Sequence, residues 1–224
     1  MSAVIAKTPR TKGSAASAPD IITFVKDDRF LGLSISPAQE TLLRGIYGLP
    51  LVTDEQREIW TLCTERDYPA EPFGEAMVIS GARGGKDSRI AAPIVVYEAV
   101  FGGHERRVAK GEIATIVLVA QDAKAAGIAF NYIAEYIQQS PVLASLLDGD
   151  PLASSLRLTN GLVIQTFPST LKSMRGFSIP VAVMDEVAFF RLEGQADSDV
   201  EIQTSIRRGM VGFTSGTKLI KTYF

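Results

Sequence analysis

The sequence has one cysteine, Cys63, and one histidine, His104, among 224 residues. A single thiol rules out a disulfide framework, and one thiol with one imidazole cannot make a Cys/His zinc site within one chain. Both absences fit a reducing cytoplasm, the expected location. No apolar run approaches the roughly 18 residues of a membrane-spanning helix, and the N-terminus lacks the apolar centre of a signal peptide, so no membrane contact is expected. Excess charge of either sign is also missing: 23 Lys and Arg stand against 25 Asp and Glu, a formal net charge of −2. A protein that holds nucleic acid by charge alone is ordinarily basic, so any DNA contact must come from a local patch or a partner.

What is present is a globular composition, 46% hydrophobic and 21% charged, in a chain long enough for one α/β domain with a substantial core. Residues 1–20 begin with the small, polar and basic run MSAVIAKTPRTKGSAAS and predict a flexible arm, with too little apolar surface to offset the entropy of ordering. Residues 21–224 form the expected folded domain. Ser36, Pro37 and Gly48 bracket one helix, and a second is expected from Thr53 to about Arg66. From Ala76 onward, short apolar strands alternate with helical stretches. AMVIS (76–80), IATIVLVA (113–120), IPVAVM (179–184) and GTKLIKTYF (216–224) read as strands. Asn160–Gly161 marks a hairpin within 156–167. A helix is expected from about Lys86 towards Phe101, kinked or restarted at Pro93, and another over 121–140, where Ile128, Tyr132, Ile133, Tyr136 and Ile137 recur at helical spacing. The alternation predicts an open, mostly parallel α/β sheet flanked by helices.

Two stretches carry candidate chemistry. In MVISGARGGKDS (77–88), Gly81, Ala82, Arg83, Gly84 and Gly85 follow a strand and precede a helix. Residues without Cβ let successive backbone N–H groups converge on an anion, the helix N-terminus adds positive potential, and Lys86 can reach the β and γ phosphates. The match to the phosphate-loop pattern is incomplete, because Ser80 replaces the first glycine and Asp87 the usual hydroxyl residue. Either Asp87 ligates Mg²⁺ directly, or Ser88 takes the hydroxyl role after a one-residue shift. In VAVMDE (181–186) a strand ends in two acids; Asp185 suits a Mg²⁺ ligand and Glu186 a base for the attacking water. Two solvated carboxylates that merely end a strand would look the same.

These segments, with LRLTNGLVIQTFPSTLKSMRGFSIPVAVMDEVAFF and SIRRGM…GTKLIKTYF, resemble the ATPase domain of the large terminase subunit of tailed bacteriophages over about residues 36–224. The resemblance implies a P-loop NTPase fold of the RecA-like (ASCE) type, with ATP and Mg²⁺ as cofactors. It implies a homo-oligomeric ring that drives double-stranded DNA through a portal protein, with a small terminase subunit as a further partner. It places Gln39 at the adenine, although an exposed helix glutamine reads the same way. It makes Arg175 an arginine inserted into the neighbouring subunit's site, although a structural ion pair is the plainer alternative. It gives Arg83 a second phosphate contact in cis and sets Thr222 at the start of a coupling motif. The family's nuclease domain would find no room here, so a fragment without DNA cleavage is expected. A helicase-like ATPase and a non-hydrolysing nucleotide-binding or structural remnant are the competing expectations.

Overall fold

The computed structural model describes residues 18–69, 71–169, 176–190 and 198–223; residues 1–17 of the expected arm lie outside them. A short helix, α1 (Ile21–Lys26), is capped by Asp20, whose carboxylate accepts from the Thr23 N–H. Helices α2 (Pro37–Tyr47) and α3 (Asp54–Thr64) start at the predicted caps, Ser36 and Thr53. Pro37 costs α2 nothing, because a first-turn N–H has no helical acceptor. Gly48 closes α2 in the left-handed region, at φ 64°, where a residue without Cβ is unstrained.

Among the described residues six strands form one sheet: β1 (Glu75–Ile79), β2 (Thr115–Ala120), β3 (Ser155–Arg157), β4 (Val163–Pro168), β5 (Val181–Met184) and β6 (Lys218–Tyr223), in the order β1-β6-β5-β2-β4-β3. Every neighbouring pair is parallel except the β3–β4 hairpin. That hairpin turns at the predicted Asn160–Gly161 but is one residue wider than a two-residue turn. Leu158 N–H donates to Leu162 O, which leaves Thr159, Asn160 and Gly161 in the loop, with Gly161 at φ 89°.

Strands β2 and β5 are buried at every position, as a parallel sheet covered on both faces requires. Alternate residues feed two cores. Ile116, Leu118, Val181 and Val183 face a large cluster with α1, α2, α4 (Ala92–Phe101) and α5 (Ala123–Gln139). Val117, Val119, Ala182 and Met184 face a smaller one closed by Ile202 and Ile206 of α7 (Ser198–Met210). Within α5, Ile133 and Ile137 are buried, whereas Ile128 and Tyr132 are 51% and 40% exposed, so the helical spacing there marks two faces. Helix α5 ends at Gln139, within the expected 121–140, and Pro141 opens a four-residue helix, α6 (Pro141–Ala144).

The expected helix from Lys86 to Phe101 is two pieces. Lys86–Ala91 is a π-helical turn, and α4 begins at Ala92 with Pro93 in its first turn. The restart falls where the missing proline N–H forces it.

Candidate active site

Because β1, β5 and β6 run the same way, their C-terminal ends share one edge of the sheet, the edge where open α/β sheets place ligands. Strand β6 lies between β1 and β5, so the loop after β1 and the acids after β5 are two strand spacings apart, about 10 Å. The Lys86 side chain crosses that gap. Its Nζ lies 2.5 Å from Asp185 Oδ1, 3.2 Å from Asp87 Oδ1 and 3.5 Å from Glu186 Oε1. Thr222, buried on the intervening strand, donates from Oγ1 to the same Asp185 oxygen at 2.6 Å and accepts from Glu186 N–H at 3.3 Å.

Electrostatics follow from this crowding. Burial by itself lowers the Lys86 pKa, but the hydrogen bond and charge of Asp185, joined by Asp87, outweigh it and hold the ammonium above its ordinary value. Burial and then the negative charge of Asp185 push the Asp87 carboxyl above the usual carboxylate range, and Lys86 only partly opposes them. Two carboxylates sharing one ammonium form an anionic pocket that gains from a further cation.

The loop's backbone is turned back on itself. Arg83 and Gly85 both take left-handed backbone, at φ 59° and 77°, and alternation of this kind turns consecutive N–H groups towards one point. Arg83 holds it without being glycine, a local strain typical of functional turns. At Gly85 the left-handed backbone strains any L side chain, and a Cβ would also come within 2.9 Å of Gln39 Nε2 and push that amide aside. A cavity of about 360 Å³ opens over the loop, lined by Gly81, Arg83, Gly84, Gly85, Lys86, Asp87, Ser88, Tyr132 and Glu186. Ala82 is exposed at the tip and does not line it.

Gln39 is brought to the site, but its amide is already engaged. Oε1 accepts from Ser36 N–H at 2.9 Å, completing the capping box of α2, and Nε2 donates to Gly84 O at 2.9 Å. It stands at the wall of a second cavity, about 300 Å³, between α2, α3 and β1, whose lining includes Leu42, Ile59, Trp60, Met77 and Ile79. Arg175 and the rest of the S-M-R segment lie outside the described residues.

Two tyrosines join the site unannounced by any motif, and Ser80, at the loop's first glycine position, joins them there. Tyr132 lines the cavity over the glycine loop. One turn later Tyr136 donates from Oη to Ser88 O at 2.7 Å and accepts from Arg89 Nη1 at 3.2 Å. Burial, opposed by Arg89, keeps the Tyr136 phenol above its ordinary pKa and therefore protonated. Ser80 Oγ is buried beside the loop without a hydrogen-bond partner among the described residues. The available signal was Pro93: its absent N–H requires another donor for a carbonyl one turn back.

No family model matches the chain, and no curated protein does. Solved structures do. The large terminase of bacteriophage HK97 superposes with a TM-score of 0.60 at 19% identity, over 91% of this chain. The chain shares the fold of the part of the HK97 large terminase that it overlays. It spans 37% of the length of the HK97 protein. Two structures of the large terminase ATPase domain of Thermus phage P74-26 also align, at 13% identity. Their TM-scores are 0.49 and 0.48; 81% and 84% of this chain and 68% and 70% of theirs are covered. Of these three, the HK97 likeness bears on the fold. The expected mostly parallel sheet flanked by helices is present. Among the described residues no helix is long and apolar enough to cross a membrane.

Proposed function

We propose that the chain is an ATP-hydrolysing motor domain that packages double-stranded DNA, and that Lys86, Asp87, Asp185 and Glu186 form its catalytic centre. The observation that carries this is the convergence of three carboxylates within 3.5 Å of the one ammonium that follows the glycine loop. Lys86 exchanges a carboxylate for the phosphate oxygens when the nucleotide enters, and the loop N–H groups hold the same oxygens. Glu186, a third exposed and fixed at the strand end by Thr222, orients a water for in-line attack. The new bond joins the water oxygen to the γ-phosphorus, the bond to the β–γ bridging oxygen breaks, and ADP leaves with that electron pair while Glu186 takes the water's proton.

The donor set suits Mg²⁺, which is usually held by one or two carboxylates together with substrate phosphates. The like-charge crowding of Asp87 by Asp185 is the feature a dication relieves. Asp185 and Asp87 would hold it, with Ser88 as the hydroxyl alternative, and it would supply charge neutralisation on the phosphate oxygens. The second cavity, with Gln39 at its wall, is the base pocket in this reading, and Arg83 is a phosphate contact in cis.

The fold likeness to a large terminase supports the motor assignment, with a homo-oligomeric ring, a portal protein and a small terminase subunit as partners. Arg175 of one copy would complete the site of the next, and such an arginine raises rates by about 10³ to 10⁵ in other NTPases. Phosphate release measured against protein concentration tests this. A turnover number that rises on assembly and with double-stranded DNA, and falls in Arg175→Ala, is expected. Nucleotide binding with no turnover under any assembly condition would leave a binding module and remove the motor.

A further inference from the structure

We propose that Tyr136 is a positioning residue of the phosphate and metal site, acting through the Ser88 carbonyl that Pro93 leaves without a helical donor. This rests on the reading of the glycine loop as a nucleotide site and adds a residue to it.

The turn behind the loop is π-helical over Lys86–Ala91. There Ala92 N–H is given to Asp87 O, five residues back. The next carbonyl, Ser88 O, would receive the N–H of residue 93 in that register, and residue 93 is proline. An unsatisfied carbonyl is costly, and rewinding the wide turn as α-helix would give Ser88 O the Ala92 N–H only by moving the deficit to Arg89 O, whose α-helical donor would again be residue 93. The structure takes another route: the Tyr136 hydroxyl reaches from α5 and donates to Ser88 O at 2.7 Å. Arg89 Nη1 donates to that hydroxyl at 3.2 Å, which fixes the direction of its proton towards Ser88.

The consequence is geometric. A π turn holds one residue more than an α turn, so removing it rotates the preceding residues by about 100° about the axis relative to α4. Those residues are Lys86, Asp87 and Ser88. In the wide register Lys86 reaches Asp185 and Glu186, and Asp87 lies beside the same ammonium; a rotation of that size would carry them away. Tyr136 is not itself among the residues that line the cavity over the loop; through Ser88 O it keeps that register in place.

The test compares wild type, Tyr136→Phe, Pro93→Ala and the double variant by two readouts: affinity for a fluorescent Mg–ATP analogue, and amide hydrogen exchange over residues 86–92. Tyr136→Phe is expected to bind about tenfold more weakly, the effect of one lost hydrogen bond, with faster exchange in that segment and an unchanged unfolding midpoint to within a few degrees. Pro93→Ala supplies an N–H to Ser88 O, so the double variant is expected to recover both affinity and protection. Wild-type affinity and protection in Tyr136→Phe would overturn the proposal, as would a loss that Pro93→Ala fails to rescue. If wild type binds no nucleotide, the site reading fails by itself, and the exchange pattern with its rescue still decides whether Tyr136 holds the turn.

Discussion

Lys86 and Asp185, 99 residues apart in the chain, meet at 2.5 Å across the end of β6. Each is the other's main partner until a phosphate arrives, so the pair reports on stability as well as on binding. Lys86→Ala leaves Asp185, only 7% exposed, beside two further carboxylates. It is expected to lose about 1–3 kcal/mol, the usual cost of an uncompensated, largely buried charge. Adding Asp185→Asn is expected to return part of that loss. Urea unfolding of the two single variants and the double variant measures the coupling; strictly additive losses would show that the pair contributes nothing.

Glu186 sits at the strand end in left-handed backbone, φ 53°, and its side chain does not anchor the loop. Glu186→Gln is therefore expected to bind Mg–ATP within about threefold of wild type and to hydrolyse it about 10² to 10⁴ times more slowly, the range for a lost general base. Single-turnover kinetics separate the two effects. Undiminished hydrolysis in this variant would assign the water to another residue.

Asp87 provides the pH-dependent prediction. Its folded pKa is raised above the ordinary value of 3.8 by burial and by Asp185, so the folded state holds the proton more tightly than the unfolded one. This group therefore stabilises the protonated fold, and stability is lost as pH rises from about 3.8 through the folded value. Above that window Asp87→Asn is expected to melt higher than wild type, by a few degrees at neutral pH. The difference disappears at the acid end. If Asp87 is also the metal ligand, Mg²⁺ with nucleotide stabilises wild type more than Asp87→Asn, and Ser88→Ala behaves as wild type.

Thr222 bridges Asp185 and the Glu186 N–H from a fully buried position. Thr222→Val keeps the shape and removes both bonds. Turnover is expected to fall about tenfold, with a stability loss of about 1.5–3 kcal/mol for a bond to a charged group. A loss of stability without any change in turnover would make Thr222 purely structural.

Local signals carried much of the fold. Ser36 and Thr53 mark helix starts because each satisfies an orphan N–H within three residues, and β2 and β5 are legible because burial on both faces leaves only apolar positions. The glycine loop and the Asp185–Glu186 pair were legible for the same reason: each is a short strand followed by its chemistry. What depends on distant contacts was not. The insertion of β6 between β1 and β5, which brings Thr222 to Asp185, is a matter of sheet order. The engagement of the Gln39 amide by Gly84 O, 45 residues away, and the Tyr136 bond to Ser88 O, 48 residues away, have no local pattern. Pro93 signalled a break in the helix without revealing that the break is a π turn. The only histidine, His104, is buried with Nε2 2.8 Å from Glu98 Oε2, away from the site.

The most direct test of the central claim is binding of a fluorescent ATP analogue to this chain, with and without Mg²⁺, in wild type and in Lys86→Ala. Mg²⁺-assisted binding by wild type that is lost in the folded variant is the predicted result. Equal, negligible binding by both folded proteins would contradict the claim that the glycine loop and its carboxylates form a nucleotide site.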